Sequence, residues 1–202
     1  MFLRSTQPHL FQPRSRPRGA SLRLRALAAV AALGVGLGLA GCAAVEPQVY
    51  SQETPALDVR RYFDGRLVGH GMVLERSGKV SRRFVVEIRA AWRGETGTLE
   101  EDFVWSDGER QQRVWTLRPV PGQPGRWTGT AADVRGQAEG TAAGNTLHWR
   151  YTLQVTTRAG QRYDVDFDDW MHLVDEQVLL NRAVMRFYGI RVGELQVAFR
   201  KP

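Results

Sequence analysis

Residues 147–155 read LHWRYTLQV, so a large apolar or aromatic side chain occupies every second position. Successive side chains of a β-strand project to opposite faces, and this period of two therefore predicts a strand with one buried face. The same alternation recurs along the chain between turns rich in Gly, Pro and Asp, such as GETG at 94–97 and PVPGQPG at 119–125. We count eight or nine such strands and find no long helical pattern. The sequence therefore predicts an all-β, antiparallel protein.

A sheet of eight or nine strands is large enough to close on itself. An open antiparallel sheet leaves two edge strands with unpaired backbone groups, and closure into a barrel removes both edges. We therefore predict a closed antiparallel barrel of eight or nine strands over residues 58–202, with a two-sheet sandwich as the alternative. A barrel of this size either fills its interior with side chains or encloses one small ligand.

The N-terminal 41 residues differ in composition from the rest of the chain. They contain six Arg and no Asp or Glu, and residues 26–40 form an apolar run interrupted only by Gly. A basic segment followed by a short apolar run is typical of a signal peptide. The remaining residues, 42–202, hold 22 basic and 21 acidic side chains. Because this part is nearly neutral, we expect no binding to nucleic acid.

The residues at the end of the apolar run, Leu39-Ala40-Gly41-Cys42, resemble a bacterial lipobox. The resemblance implies cleavage between Gly41 and Cys42 and attachment of acyl chains to Cys42, so that the partner of this residue would be membrane lipid. Two or more acyl chains anchor a water-soluble domain stably. An ordinary secretory signal followed by a stray cysteine is the alternative.

The predicted organisation is therefore a lipoprotein signal peptide at 1–41, a lipidated N-terminus and tether at 42–57, and the barrel at 58–202. Ala43 follows the cysteine, at the position where Asp retains enterobacterial lipoproteins in the inner membrane. We therefore expect the protein to be lipid-anchored at the outer membrane, with its barrel facing the periplasm.

Aromatic side chains dominate the inward phase of the predicted strands. Several large rings that face one interior, with few polar groups among them, describe an apolar ligand pocket, and a packed core is the alternative. We take these rings as the candidate contacts for a small apolar or fatty-acyl ligand; they are Phe84, Trp92, Phe103, Trp105, Trp115, Trp149, Tyr151 and Phe167.

Four charged residues share the inward phase with these rings: Arg82, Glu101, Arg113 and Asp169. A buried charge without a partner is costly, so the acids should meet the arginines or the polar group of a ligand. These residues therefore predict either the polar part of a ligand pocket or a structural ion-pair network at the barrel mouth.

Motifs of catalysis and of metal or cofactor binding are missing from residues 42–202. The acidic run DVDFDD at 164–169 lacks the Gly and the final Glu of a calcium loop. We therefore expect no metal and no cofactor, and we favour a non-enzymatic binding protein. An enzyme of envelope lipids that uses His148 or His172 with nearby acids is an alternative.

A further alternative uses the outer face of the barrel. Asp164, Asp166 and Asp168 project to one face of their predicted strand, and Trp170 continues that face. This surface would suit a structural or assembly factor that contacts another envelope protein.

Five strings carry a resemblance to a known family: SRRF at 81–84, EDFVWSDG at 101–108, GNTLHWRY at 144–151, VDFDDWM at 165–171 and LNRA at 180–183. Together they resemble a family of proteobacterial envelope lipoproteins known as domain of unknown function 3833. The resemblance covers nearly all of residues 45–202 and implies a lipocalin-like, calycin-type barrel on a lipoprotein. It implies no catalytic residues. Members of the family occur beside fatty-acid-modifying proteins in genomes, which implies a lipid-related role.

Overall fold

The computed structural model describes residues 44–157 and 159–202 of the chain. Gly41, Cys42 and the whole of the predicted signal peptide lie outside the described residues, so their roles stay predictions. No helix within the described ranges is long and apolar enough to cross a membrane.

Ten antiparallel strands form the described structure, and each pairs with its neighbour in the sequence. Their bounds are β1 (Gly65–Glu75), β2 (Val80–Arg93), β3 (Thr96–Trp105), β4 (Arg110–Pro119), β5 (Arg126–Thr130), β6 (Val134–Ala143), β7 (Thr146–Thr156), β8 (Arg162–Leu173), β9 (Val178–Phe187) and β10 (Ile190–Arg200). β1 also pairs with β10, and this pairing closes the barrel. The predicted all-β antiparallel barrel is confirmed, with ten strands rather than eight or nine, and the two-sheet alternative is wrong.

The strand that the sequence pattern did not show is β6. Its residues, VRGQAEGTAA, are mostly small or polar and show no alternation of large side chains. The indole ring of Trp149 lies against Gly129 of β5 and Gly140 of β6, and a Cβ atom at either glycine would collide with that ring. Small residues on this wall make room for a large ring from β7, so the pattern that predicts a half-buried strand is missing there.

A short helix, α1 (Val59–Tyr62), closes one end of the barrel. Asp58 caps the helix, because its carboxylate accepts hydrogen bonds from two backbone N–H groups of the first turn. The indole Nε1 of Trp92 donates to the carbonyl oxygen of Phe63 at 2.6 Å and ties the segment to β2. Val59 and Phe63 are buried and form the closed end of the interior.

The segment before α1 also packs on the barrel. A 3₁₀ turn (Pro47–Tyr50) lies on the outer wall, where the Tyr50 ring centroid is 4.9 Å from that of His172. The backbone N–H of Leu57 donates at 2.8 Å to a carbonyl oxygen in the β6–β7 turn. The compact part of the chain begins at Val45. Residues 45–57, which we expected to belong to a tether, therefore pack on the barrel, where their apolar side chains and backbone groups find partners.

Candidate ligand-binding site

The barrel encloses a cavity of about 850 Å³. It extends from α1 at one end to the turns at the other, where Glu109 and Thr157 line it. Small-molecule pockets in proteins commonly measure roughly 300 to 1,000 Å³. The side chains of this barrel therefore leave room inside for one small molecule.

Seven of the eight predicted ring residues line the cavity: Phe84, Phe103, Trp105, Trp115, Trp149, Tyr151 and Phe167. Trp92 is the exception, because its ring packs against Trp127 at the closed end, with centroids 5.8 Å apart, and its Nε1 bonds to Phe63. Trp92 has the inward phase of β2 but lies one residue before the end of that strand. The phase of a strand indicates which face a side chain occupies and not how deep in the barrel it lies.

Rings from β4, β7 and β8 form the centre of the lining. Trp115 meets Trp149 and Tyr151 edge to face, with ring centroids 6.0 Å and 5.3 Å apart. Tyr151 and Phe167 are stacked with centroids 5.1 Å apart. Both arrangements are favourable for aromatic pairs, so the rings hold one another in place and give the cavity a defined apolar wall.

Two of the inward charged residues face each other across the β3–β4 pair. Glu101 and Arg113 are directly opposite in the strand register, and Nη1 of Arg113 lies 3.8 Å from Oε2 of Glu101. Arg113 makes closer contacts with Asp133, in the turn between β5 and β6, where its Nε is 3.1 Å and 3.0 Å from the two carboxylate oxygens. The guanidinium of Arg113 therefore forms ion pairs with two carboxylates in the cavity wall, those of Glu101 and Asp133.

Asp169 is buried in the same wall, with 5% of its surface exposed. The Tyr151 hydroxyl donates to its Oδ2 at 3.5 Å, whereas its Oδ1 has no hydrogen-bond partner in the part of the chain that the structure describes. Oε2 of Glu101 and Nδ2 of Asn181 are also buried without such a partner among these residues. Buried polar atoms are normally hydrogen-bonded, so these atoms mark where a bound molecule can be held.

Burial changes the acidity of two of the carboxyl groups in the cavity lining, those of Glu101 and Asp169. Loss of hydration raises the pKa of Glu101 to about 7, against the opposing effect of the Arg113 guanidinium. Loss of hydration likewise raises the pKa of Asp169 to about 7, and the hydrogen bond from Tyr151 opposes it. Burial also raises the pKa of Tyr151 well above its ordinary value, so that hydroxyl keeps its proton. Both carboxyl groups therefore change from the protonated to the ionised form near neutral pH.

Arg82 lies apart from the other three inward charges, at the open end. It contacts Asp107 and Glu109 of the β3–β4 turn, each at 2.8 Å, and its guanidinium carbon is 4.0 Å from the centre of the Trp105 ring. The four residues therefore do not form one network at the barrel mouth. Arg82 makes an ion-pair cluster at the mouth, and Glu101, Arg113 and Asp169 lie along the cavity wall.

Two polar cavity residues were absent from the set predicted from the sequence. Asp133 lies in a turn, where no alternation marks a face, so the sequence carries no signal for it. Asn181 lies between Leu179 and Ala183, which are both completely buried, so its inward phase on β9 was visible in the pattern.

The acidic outer face of β8 is paired with neighbouring strands. Asp164 lies 3.1 Å from Arg135, and Asp166 accepts a hydrogen bond from a threonine hydroxyl of β7. Asp168 lies 2.7 Å from Nε2 of His148. Within the described ranges there is no group of three or more side chains placed to hold a metal ion.

His148 and His172 lie on the outer wall rather than in the cavity. Their rings stack with that of Trp170, with centroid distances of 4.1 Å and 6.3 Å. Nδ1 of His172 is 2.8 Å from the hydroxyl oxygen of Thr146, which is completely buried. A buried hydroxyl does not reach a substrate, so this pair has the geometry of packing and not of an activated nucleophile.

A closed antiparallel barrel, plugged at one end and holding an aromatic-lined cavity, is a lipocalin-like fold. The chain belongs to the family described as a protein of unknown function, DUF3833, whose profile matches residues 36–201. The family membership predicted from the five sequence strings is thereby confirmed. No curated protein matches the chain.

The chain was also compared with solved structures. The S-type phycobiliprotein lyase CPES from Guillardia theta superposes with a TM-score of 0.51 at 6% identity, over 70% of this chain and 89% of the lyase. The protein EF1p2_mFAP2b, solved bound to DFHBI, gives a TM-score of 0.38 at 10% identity, over 70% of this chain and 95% of that protein. At so low an identity the likeness to the lyase shows the fold alone.

Proposed function

We propose that this protein is a lipid-anchored lipoprotein of the outer membrane, facing the periplasm, whose barrel binds one small apolar or fatty-acyl molecule without catalysing a reaction. The observation that supports the binding role is the cavity of about 850 Å³ with ten aromatic residues in its lining, seven of them predicted from the sequence. Pockets for small ligands are typically concave, mostly apolar and supplied with a few polar groups that orient the ligand.

The anchoring part of the proposal is supported by the lipobox-like residues that end at Cys42. The compact unit that contains the barrel begins at Val45, three residues further along the chain. Three residues span at most roughly 11 Å of extended chain. Acyl chains on Cys42 would therefore hold the barrel next to the lipid surface and close to an apolar ligand dissolved there.

The two alternatives from the sequence have less support. An assembly factor that uses the acids of β8 would have to compete with contacts that those acids already make, such as those of Asp164 with Arg135 and of Asp168 with His148. An enzyme that uses His172 would need a reachable nucleophile, and the hydroxyl of Thr146 beside it is buried.

Filling the cavity tests the binding part of the proposal. Val155 lines the cavity on β7, and Val155→Trp places a large ring in that space. We expect this variant to bind N-phenyl-1-naphthylamine, a neutral apolar fluorophore, at least about tenfold more weakly than the parent chain. The measurement is a fluorescence titration of the chain without residues 1–42, because all ten strands and α1 lie in the compact unit that begins at Val45.

Val114→Trp is the matched control, since Val114 lies on the outer face of β4 with 51% of its surface exposed. We expect this variant to bind the fluorophore like the parent chain. Circular dichroism establishes that both variants keep the barrel. A parent chain that does not bind the fluorophore, or a Val155→Trp variant that binds it equally well, contradicts the proposed binding role.

Substitution of Cys42, the predicted site of acylation, tests the lipid-anchoring part of the proposal. In its own host the parent chain is expected to incorporate an alkynyl palmitate label and to lose its leader, whereas Cys42→Ser is expected to stay unlabelled and to accumulate as the uncleaved precursor. Ala43→Ser changes the neighbouring residue and is expected to be labelled and processed normally. Label in the Cys42→Ser chain, or a parent chain without label, contradicts acylation at this residue.

A further inference from the structure

We infer that the ligand carries a cationic amine as its polar end, that this amine binds against Asp169, and that a carboxylate end is a poor fit. The inference rests on the proposed ligand binding and names the chemical class of the head group. Its starting point is Oδ1 of Asp169, an atom for which residues 44–157 and 159–202 supply no hydrogen-bond partner, on a side chain that lines the cavity and is 5% exposed.

Acids outnumber bases among the charged side chains that the structure describes in the cavity lining. The acids are Glu101, Glu109, Asp133 and Asp169, and the bases are Arg82 and Arg113. Each guanidinium already contacts two carboxylates. These carboxylates balance its positive charge and weaken its attraction for an anionic ligand. Charges interact more strongly in a protein interior than in water. The cavity therefore attracts a cation and repels a further carboxylate.

The buried polar atoms of the cavity lining that have no hydrogen-bond partner among the described residues divide into two sets. Nε of Arg82 and Nε1 of Trp105 are hydrogen-bond donors at the mouth, where the charge of Arg82 is already matched by its acidic neighbours. Further along the wall are Oδ1 of Asp169, Oε2 of Glu101 and Nδ2 of Asn181. Two of these three atoms are carboxylate oxygens. An ammonium group donates up to three hydrogen bonds, and hydrogen bonds between charged partners are roughly twice as strong as neutral ones.

The groups that face Asp169 leave its charge largely uncompensated when no ligand is bound. Burial has the largest effect on its pKa and raises it. The uncharged side chains of Tyr151 from β7 and Asn181 from β9 lower the pKa, Asp168, the next residue in the chain, raises it, and the guanidinium of Arg113 from β4 lowers it least. Near neutral pH the Asp169 carboxyl is therefore partly protonated. An ammonium group beside it favours the carboxylate, so amine binding is expected to release a proton to solvent.

Three probes that share one alkyl chain test the inference: dodecylamine, dodecan-1-ol and dodecanoate. Each is titrated against N-phenyl-1-naphthylamine bound to the chain without residues 1–42, near pH 7. We expect the amine to bind at least about tenfold more tightly than dodecanoate, with the alcohol between them. Calorimetry in two buffers that differ in ionisation enthalpy is expected to show proton release when the amine binds and none when the alcohol binds.

Asp169→Asn keeps the shape of the side chain and removes its charge. We expect this variant to lose at least about tenfold of the preference for amine over alcohol. Asp166→Asn, on the outer face of the same strand, is the matched control and is expected to keep the preference.

The outcomes separate this inference from the function on which it rests. Dodecanoate or dodecanol that binds as tightly as the amine, amine binding without proton release, or an Asp169→Asn variant that keeps the amine preference overturns the inference. If the fluorophore still binds in those cases, the proposed binding role stands. A parent chain that binds neither the fluorophore nor any of the probes contradicts the binding role itself.

Discussion

Substitution of Arg113 by methionine is expected to lower the free energy of unfolding by about 3 to 5 kcal/mol near pH 8. The Arg113 side chain is 12% exposed and contacts both Glu101 and Asp133. Its removal leaves two carboxylates in the cavity wall without the cation that balances them, and an uncompensated buried charge is far more costly than the loss of the pair. Urea unfolding followed by tryptophan fluorescence measures the change.

An outward arginine is the control for this result. Arg89 contacts Glu100 and Asp102 on the outer face, with half of its side chain exposed, so Arg89→Met is expected to change stability by less than about 1 kcal/mol. Adding Glu101→Gln to Arg113→Met should recover part of the lost stability, because it removes one of the stranded charges. An Arg113→Met variant as stable as the parent contradicts the charge balance that we assign to this wall.

Stability is also expected to depend on pH through the cavity acids. Burial raises the pKa of Glu101 and of Asp169 to about 7, whereas in the unfolded chain such groups titrate near roughly 4. Between these two values the folded protein binds more protons than the unfolded chain. The contribution of the neutral carboxyl groups is therefore complete below the unfolded pKa and is lost as the pH rises through about 7, by up to about 1.4 kcal/mol per pH unit for each group.

The double variant Glu101→Gln with Asp169→Asn is expected to remove most of this decline between about pH 5 and pH 8. Asp102→Asn is the matched control on β3. Hydrogen bonds from Gln112 and Arg89 hold the pKa of Asp102 below its ordinary value, so its contribution is lost only under more acidic conditions. Urea unfolding at several pH values gives the profile. A parent profile that the double variant does not change argues against raised pKa values in the cavity.

The sequence predicted the strands wherever large side chains alternate with polar ones. Tyr151 and Phe167 lie in such runs, and both rings line the cavity. β6 lacks this signal, because Gly140 on that strand and Gly129 on β5 leave room for the ring of Trp149. The ring that fills this part of the wall belongs to a residue of the next strand, β7, so the alternation within β6 itself does not show it.

The sequence also predicted only part of the arrangement of polar residues in the cavity. The inward phase of Glu101, Arg113 and Asp169 followed from alternation alone, because a barrel wall has only two faces. That Arg113 also contacts Asp133 depends on a turn brought beside β4, and turn residues have no periodic signal. Arg82 has the same phase as these residues and yet lies at the mouth, because phase contains no information about depth.

The sequence by itself determined the class of fold, the family and the face on which most side chains lie, since these depend on composition, matched strings and the alternation of neighbouring residues. Only the tertiary structure decided that the interior is open, that Trp92 lies beneath α1 outside the cavity, and which charges meet inside it. These properties depend on the stagger between strands and on how the volumes of distant side chains add up across the barrel. The strand stagger and the total side-chain volume depend on all ten strands of the closed barrel, so no single segment of the sequence determines them.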